Sequence, residues 1–266
     1  MIRIIATGKG GAGKTTVIAT LSRLLSRKGC RVLAIDTDPS MNLAMSLGVP
    51  FTKIRTLAED KIGIREQLVG GDSDDDDHDH GSHLNVDIEV VLAKYEVLAQ
   101  DGVRVLVMGT IPYGGAGCIC SSISLVRLLI EKVSARNDWY DFLIVDSQAG
   151  SEILGRGLAV DYDLNLIITE AFPKSMEVAR HVMKLASDLH IRKQVVIVNK
   201  AKDGSEVEKV MRDLSVSGEG VFSVRYDERV AEADRDGNLI LDVAPDSGTV
   251  ADIREIMNMI EQSCRA

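Results

Sequence analysis

Residues 8–16 read Gly8-Lys9-Gly10-Gly11-Ala12-Gly13-Lys14-Thr15-Thr16. The spacing is G-x-x-x-x-G-K-[ST], in which small residues let backbone N–H groups close around phosphate oxygens. A short apolar run at 2–6 precedes it. Residues 16–27 follow, with Val17, Leu21, Leu24 and Leu25 at helical spacing. Strand, glycine loop and helix in that order also aim the positive end of the helix at the same phosphates. All nine residues are therefore predicted to surround a nucleotide's phosphate chain. Lys14 is predicted to neutralise the β- and γ-phosphates, and the Thr15 hydroxyl to ligate Mg²⁺. A glycine-rich turn with no ligand is the plain alternative, and the flanking strand and helix argue against it.

Further apolar, β-branched runs occur at 32–35, 103–108, 142–145, 164–168 and 195–198, with a weaker one at 221–224. They are nearly continuous rather than alternating, which predicts strands buried on both faces of a parallel sheet. Between them, residues 123–133 and 176–189 carry helical periodicity, and 250–264 reads as an acidic final helix. The pattern predicts an α/β fold: one doubly wound domain over residues 1–266, with a mostly parallel sheet of about seven or eight strands. Residues 87–100 fit either a helix or a hairpin strand.

The chain has 266 residues, 45% hydrophobic and 27% charged, so global disorder is excluded. Its formal net charge is −9 and aromatics are 4%, which argues against nonspecific nucleic-acid binding, anionic membranes and base-stacking platforms. Residues 70–84, GGDSDDDDHDHGSHL, hold six Asp and three of the five His (His78, His80, His83). Six of the negative charges thus belong to one stretch, and the rest of the chain carries −3. With almost nothing to bury, this stretch is predicted to be a disordered surface loop. Its imidazoles suit Ni²⁺ or Zn²⁺, although such a run is more often a solvated acidic loop. The N-terminus lacks the long apolar stretch of a signal peptide, and four cysteines do not make a disulfide framework. Both observations predict a cytoplasmic protein.

The segment from Lys9 to Thr16, KGGAGKTT, resembles the deviant Walker A loop of the MinD/ParA/nitrogenase-iron-protein class of dimeric ATPases. That resemblance implies that Lys9 reaches across an ATP-bridged homodimer to the partner's phosphates. Asp36-Thr37-Asp38-Pro39-Ser40-Met41-Asn42 looks like the class's first switch, D-x-D-P-x-x-N. It implies that Asp38 orients the attacking water and that Asp36 sits near the Mg²⁺ shell. Asp146-Ser147-Gln148-Ala149-Gly150, after the strand at 142–145, resembles the second switch, with Asp146 holding a Mg²⁺-bound water. Asn199, at the end of the strand at 195–198, resembles the class's adenine-contacting residue. A polar strand terminus is its plain alternative.

Cys118-Ile119-Cys120 lies in a glycine-rich stretch before the helix at 123–133. Two thiols so close, at a helix N-terminus, are shifted towards thiolate. They supply half of a tetrahedral or square-planar S₄ site, and a two-fold axis can supply the other half. Two small loop residues without metal are the bland alternative. Together, the loop with Lys9, the first switch and G-C-x-C before a helix look like the CooC family of nickel-handling accessory ATPases for carbon monoxide dehydrogenase maturation. Val107-Met108-Gly109, the run from Tyr226 to Asp234, and Gly237 extend the match. The resemblance implies ATP-dependent dimerisation, Ni (or Zn) held by Cys118 and Cys120 of two subunits, and delivery to a client nickel enzyme. It implies neither nucleic acid nor membrane as partner. Three positions depart from the family pattern: Gln148 in place of an acidic residue, the run from Ser151 to Ile153, and Arg225 in place of Pro. A positioning ATPase of the MinD/ParA type would keep the same switches but needs a basic or amphipathic surface. An iron–sulfur electron donor would take its ligands from two separated cysteines. Cys30 and Cys264 read as ordinary free thiols.

Overall fold

Every one of the apolar runs becomes a strand. The computed structural model describes residues 1–58, 88–110, 120–136, 138–150, 152–155 and 162–263. In chain order the elements are β1 (Ile2–Gly8), α1 (Lys14–Arg27), β2 (Val32–Asp36), α2 (Asn42–Ser46), α3 (Ile88–Tyr95), β3 (Val97–Leu98), β4 (Arg104–Val107), α4 (Cys120–Ser134), β5 (Phe142–Asp146), α5 (Glu152–Gly155), β6 (Leu164–Thr169), α6 (Pro173–Asp188), β7 (Lys193–Ala201), α7 (Gly204–Leu214), β8 (Val221–Arg225), α8 (Glu228–Arg235), α9 (Ile240–Val243) and α10 (Gly248–Ser263). The ambiguous segment resolves as both alternatives in turn. Helix α3 is followed by β3, a two-residue edge strand antiparallel to β4.

The eight strands form one sheet in the order β3-β4-β2-β5-β1-β6-β7-β8. All pairs except β3–β4 are parallel. Side chains alternate between two cores. Ile5, Leu143 and Val145 face α3, α4, α6 and α7, while Ile4, Ala6 and Ile144 face α1 and α10. Each fully buried aliphatic side chain contributes about 1.5–3 kcal/mol, so double burial explains the unbroken apolar runs. The chain winds outward from β1 in both directions, which opens a crevice beyond the strands' carboxyl ends, the usual ligand position in such sheets. The register β2–β5 sets Asp36 directly beside Asp146 at that edge. Among the described residues, no helix is long and apolar enough to cross a membrane.

Candidate nucleotide site

The glycine loop leaves β1 through Gly8, whose φ is +142° and whose absent Cβ would lie 2.1 Å from the Ile168 carbonyl oxygen. Gly13, at φ +90°, caps α1, and a Cβ there would meet Asn199 Nδ2 at 2.2 Å. Only glycine satisfies both positions, so the loop is held tightly against the ends of β6 and β7. Two residues of β7 complete the clamp. Asn199 Nδ2 donates to the Ala12 carbonyl at 2.7 Å. Lys200, in the left-handed region at φ +57° beside a bulge, donates to the Gly11 carbonyl at 2.7 Å and pairs with Glu170 at 3.2 Å. Sequence reasoning singled out Asn199 but missed Lys200, because a strand-end lysine has no distinguishing spacing.

Lys14 is buried, and among the described residues its ammonium makes two long contacts, to the carbonyls of Gly8 (3.3 Å) and Lys9 (3.4 Å). Burial lowers its pKa, and the charges of Asp146 and Asp38 only partly offset that. Thr15 Oγ1 donates to Asp146 Oδ2 at 2.7 Å. Asp146 Oδ1 is also buried and has no hydrogen-bond partner among the described residues. Burial pushes the Asp146 carboxyl up to about 6, against the pull of Thr15 and Lys14. An under-coordinated ammonium and a half-satisfied carboxylate meet at one helix N-terminus. The donor set fits a polyphosphate with a hard divalent cation, whose preferred ligands are hydroxyl, carboxylate and phosphate oxygens.

The first switch is pinned rather than loose. Asp36 accepts the backbone N–H groups of Asp38 (3.0 Å) and Leu43 (2.9 Å). Both of its carboxylate oxygens are thus engaged by backbone, and its place is under the switch. Burial and the neighbouring Asp146 push its carboxyl up to about 8. Thr37 Oγ1 donates to the Asp146 carbonyl at 2.9 Å and ties the switch to β5. Asp38 is half-buried and lines the cleft. Lys9 is not brought into this cluster; its Nζ donates to the adjacent Gly10 carbonyl at 3.1 Å. Gln148 is half-buried beside the second switch, and its carbonyl accepts the Ser147 hydroxyl at 3.2 Å.

The resulting cleft holds about 640 Å³. Gly10, Gly11 and residues 13–17 form its floor. Asp38, Asn42, Met45 and Ala149 line one end, and Asn199, Val224, Arg225, Tyr226, Val230 and Ile253 the other. The model of the CobQ/CobB/MinD/ParA nucleotide binding domain matches residues 3–240. The carbon monoxide dehydrogenase accessory protein CooC of Rhodospirillum rubrum is 32% identical over 248 residues, 92% of this chain and 91% of that protein. The chain is a CooC-family ATPase of the CobQ/CobB/MinD/ParA group. An uncharacterized ATP-binding protein of Methanocaldococcus jannaschii is 33% identical to this ATPase, with 97% of each chain covered. Among solved structures, the septum site-determining protein MinD of Pyrococcus horikoshii, complexed with Mg-ADP, superimposes on the ATPase with a TM-score of 0.72. Its identity is 21%, over 99% of this chain and 98% of that one, and it shares the fold.

The metal-site expectations fall elsewhere. Cys118 and the stretch with His78, His80 and His83 lie outside the described residues, as does Cys264. Cys120 begins α4. Among the described residues, no group of three or more His, Cys, Asp or Glu is arranged to hold a metal ion. Cys30 is a free thiol, and burial raises its pKa, consistent with an unreactive side chain.

Proposed function

We propose that this ATPase is an ATP-driven metallochaperone that carries Ni²⁺ (or Zn²⁺) to a nickel enzyme of the carbon monoxide dehydrogenase type. The observation that carries this reading is its 32% identity, over 92% of the chain, to a protein named as a carbon monoxide dehydrogenase accessory protein. Cys118 and Cys120, directly before or at the start of a fifteen-residue helix, supply two thiolates per subunit. Their metal is cargo, not a resident cofactor.

In this mechanism ATP lies along the cleft, with its phosphates in the loop of residues 8–16 and its base towards Asn199. Thr15 and Asp146 hold Mg²⁺, which supplies charge neutralisation at the phosphates. The unpartnered Asp146 Oδ1 supports that role. Lys14 exchanges its two long carbonyl contacts for β- and γ-phosphate oxygens. Asp38 orients a water in line with the γ-phosphate, and the P–O bond to the β-phosphate breaks as the new P–O bond forms. Lys9, half-buried and bonded only to the adjacent Gly10 carbonyl among the described residues, reaches the phosphates held by a second copy. ATP thereby closes a homodimer that completes an S₄ site, and hydrolysis opens it.

Size-exclusion chromatography with elemental analysis tests the reading. One Ni²⁺ or Zn²⁺ per ATP-bound dimer is expected, lost in Cys118→Ala and in Cys120→Ala. Equal metal in these variants after deletion of residues 70–84 sinks it. Lys9→Ala is expected to bind ATP as a monomer and to lose the ATP-dependent dimer.

A further inference from the structure

A second cavity opens at the opposite edge of the sheet. It holds about 150 Å³ and is lined by Arg3, Tyr162, Leu189, His190, Ile191 and Arg192. Arg3 stands near the start of β1, Tyr162 just before β6, and Arg192 just before β7. The cavity therefore lies at the amino ends of three neighbouring strands whose carboxyl ends hold the glycine loop. The five-residue step along β1 from Arg3 to Gly8 spans about 17 Å at the usual strand rise, which keeps this cavity apart from the nucleotide cleft.

Tyr162 is 2% exposed, and among the described residues its hydroxyl has no hydrogen-bond partner. A buried hydroxyl without a partner has lost its water and gained nothing, and native interiors seldom leave one so. Burial pushes the phenol above its ordinary pKa, and the positive charge of Arg3 offsets only part of that. The phenol therefore keeps its proton and acts as a donor, close enough to the Arg3 guanidinium to feel its charge. Arg3 is itself fixed. Its backbone N–H and its Nε donate to Asp163 Oδ2 at 2.9 and 3.2 Å, and the Asp163 N–H donates to the Arg3 carbonyl at 2.9 Å. Nη2 reaches Asp163 Oδ1 at 3.4 Å, and Nη1 takes no part in that pair. Arg192, 83% exposed, comes within 4.0 Å of the same carboxylate. The turn after α6 forms the rest of the rim. His190 adopts φ +56°, its N–H donates to the Ser187 carbonyl at 3.0 Å, and the Ile191 N–H returns to Ala186 at 3.0 Å. Glycine is the usual residue at such a helix end; here an imidazole takes the place and brings a ring N–H donor.

The lining thus carries two guanidinium groups, an imidazole and a buried phenol, and no carboxylate. Asp163 is the one acidic group bonded to it among the described residues, so the two arginines leave an excess of positive charge. Water satisfies a lone hydroxyl, but only an anion also matches that charge. The volume of about 150 Å³ equals roughly five water molecules, which admits a small anion and is too little for a nucleotide.

We propose that this cavity is a second binding site, for a small oxyanion of the inorganic phosphate type: the Tyr162 hydroxyl and Arg3 Nη1 donate to its oxygens, and Arg192 and His190 supply charge and a further donor at the rim. The site is independent of the nucleotide cleft and of the metal cargo.

The test is calorimetric titration of the full chain with inorganic phosphate, in a Lys14→Ala background so that the glycine loop does not contribute. One phosphate per chain is expected, with Kd in the millimolar range. Tyr162→Phe is expected to weaken it on the order of tenfold, and Arg192→Gln, at the exposed rim, about threefold. Chloride at the same ionic strength is expected not to displace it. Without phosphate, Tyr162→Phe is expected to melt at the same temperature as its parent or higher, because the hydroxyl removed has no partner. The proposal is overturned if phosphate fails to bind up to about 50 mM, or if both variants bind it within about twofold of the parent. It is also overturned if chloride displaces phosphate equally well, or if phosphate-free Tyr162→Phe melts lower, since its hydroxyl is then already satisfied within the chain.

Discussion

Helix α1 buries two cations, and they live in opposite circumstances. Arg23 is 2% exposed and Lys14 is 7% exposed. Arg23 forks onto both oxygens of Asp242 at 2.6 and 2.7 Å and reaches Asp101 at 2.7 Å, where Arg27 joins it. Its charge is matched and its donors are used. Lys14 has two long carbonyl contacts, and the nearby Asp146 keeps one oxygen unpartnered among the described residues. Both side chains cost desolvation energy, but only one has been compensated within the chain. The satisfied cluster staples α1 to α9 and to the turn before β4. The unsatisfied one keeps donors and acceptors that suit a phosphate chain and a hard cation. Burial of charge alone does not separate a staple from a site; the state of its hydrogen bonds does.

The comparison breaks most readily at Lys14. Lys14→Ala is expected to lower ATP hydrolysis by about 10³-fold while leaving the nucleotide-free melting temperature unchanged or slightly raised. A large loss of thermal stability in that variant would make Lys14 a staple too. Arg23→Ala should do the reverse. Removing it strands Asp101 and Asp242, so chemical denaturation should show a loss of about 3 kcal/mol, with Kd for ATP little changed in the folded fraction.

The smallest effect sharpens the comparison through pH. Burial would raise the Asp101 carboxyl, but its hydrogen bonds to Arg23 and Arg27 outweigh burial and hold it below the usual range. A lowered folded value means that its stabilisation is present above the ordinary carboxylate value of about 4 and is lost as pH falls through the folded value. Asp101→Asn should therefore flatten the acid limb of the stability curve, removing roughly 0.5–1 kcal/mol near neutrality, because the pair is partly solvated. Unfolding midpoints measured from pH 3 to pH 7 check the sign.

Much of this was legible in the sequence, for identifiable reasons. The central parallel strands announced themselves because double burial leaves few polar positions in the run, and none at residues 142–145. The glycine loop was legible because phosphate binding constrains spacing. The edge strand β3 was not: two residues, one exposed at Leu98, carry no period. Asp36 was read as a neighbour of the metal shell, and its engagement by the N–H groups of Asp38 and Leu43 could not be foreseen. The N–H groups that a carboxylate after a strand accepts depend on how the following turn closes, which its letter and position do not encode. Lys200 and the Arg225–Asp252 pair were hidden for a different reason. Each depends on partners far along the chain, at Gly11 and on α10, and no local spacing encodes such a meeting.

The cleft is assembled from residues as early as Gly10 and as late as Ile253. Its phosphate end takes shape where β5 and β6 flank β1 and β7 lies beside β6, while Thr249 and Ile253 belong to α10, which packs beside α1 through Lys28 and Glu261 at 2.5 Å. The cleft thus joins the two ends of the chain: its floor comes from the first loop, and part of its wall, at Thr249 and Ile253, from the last helix.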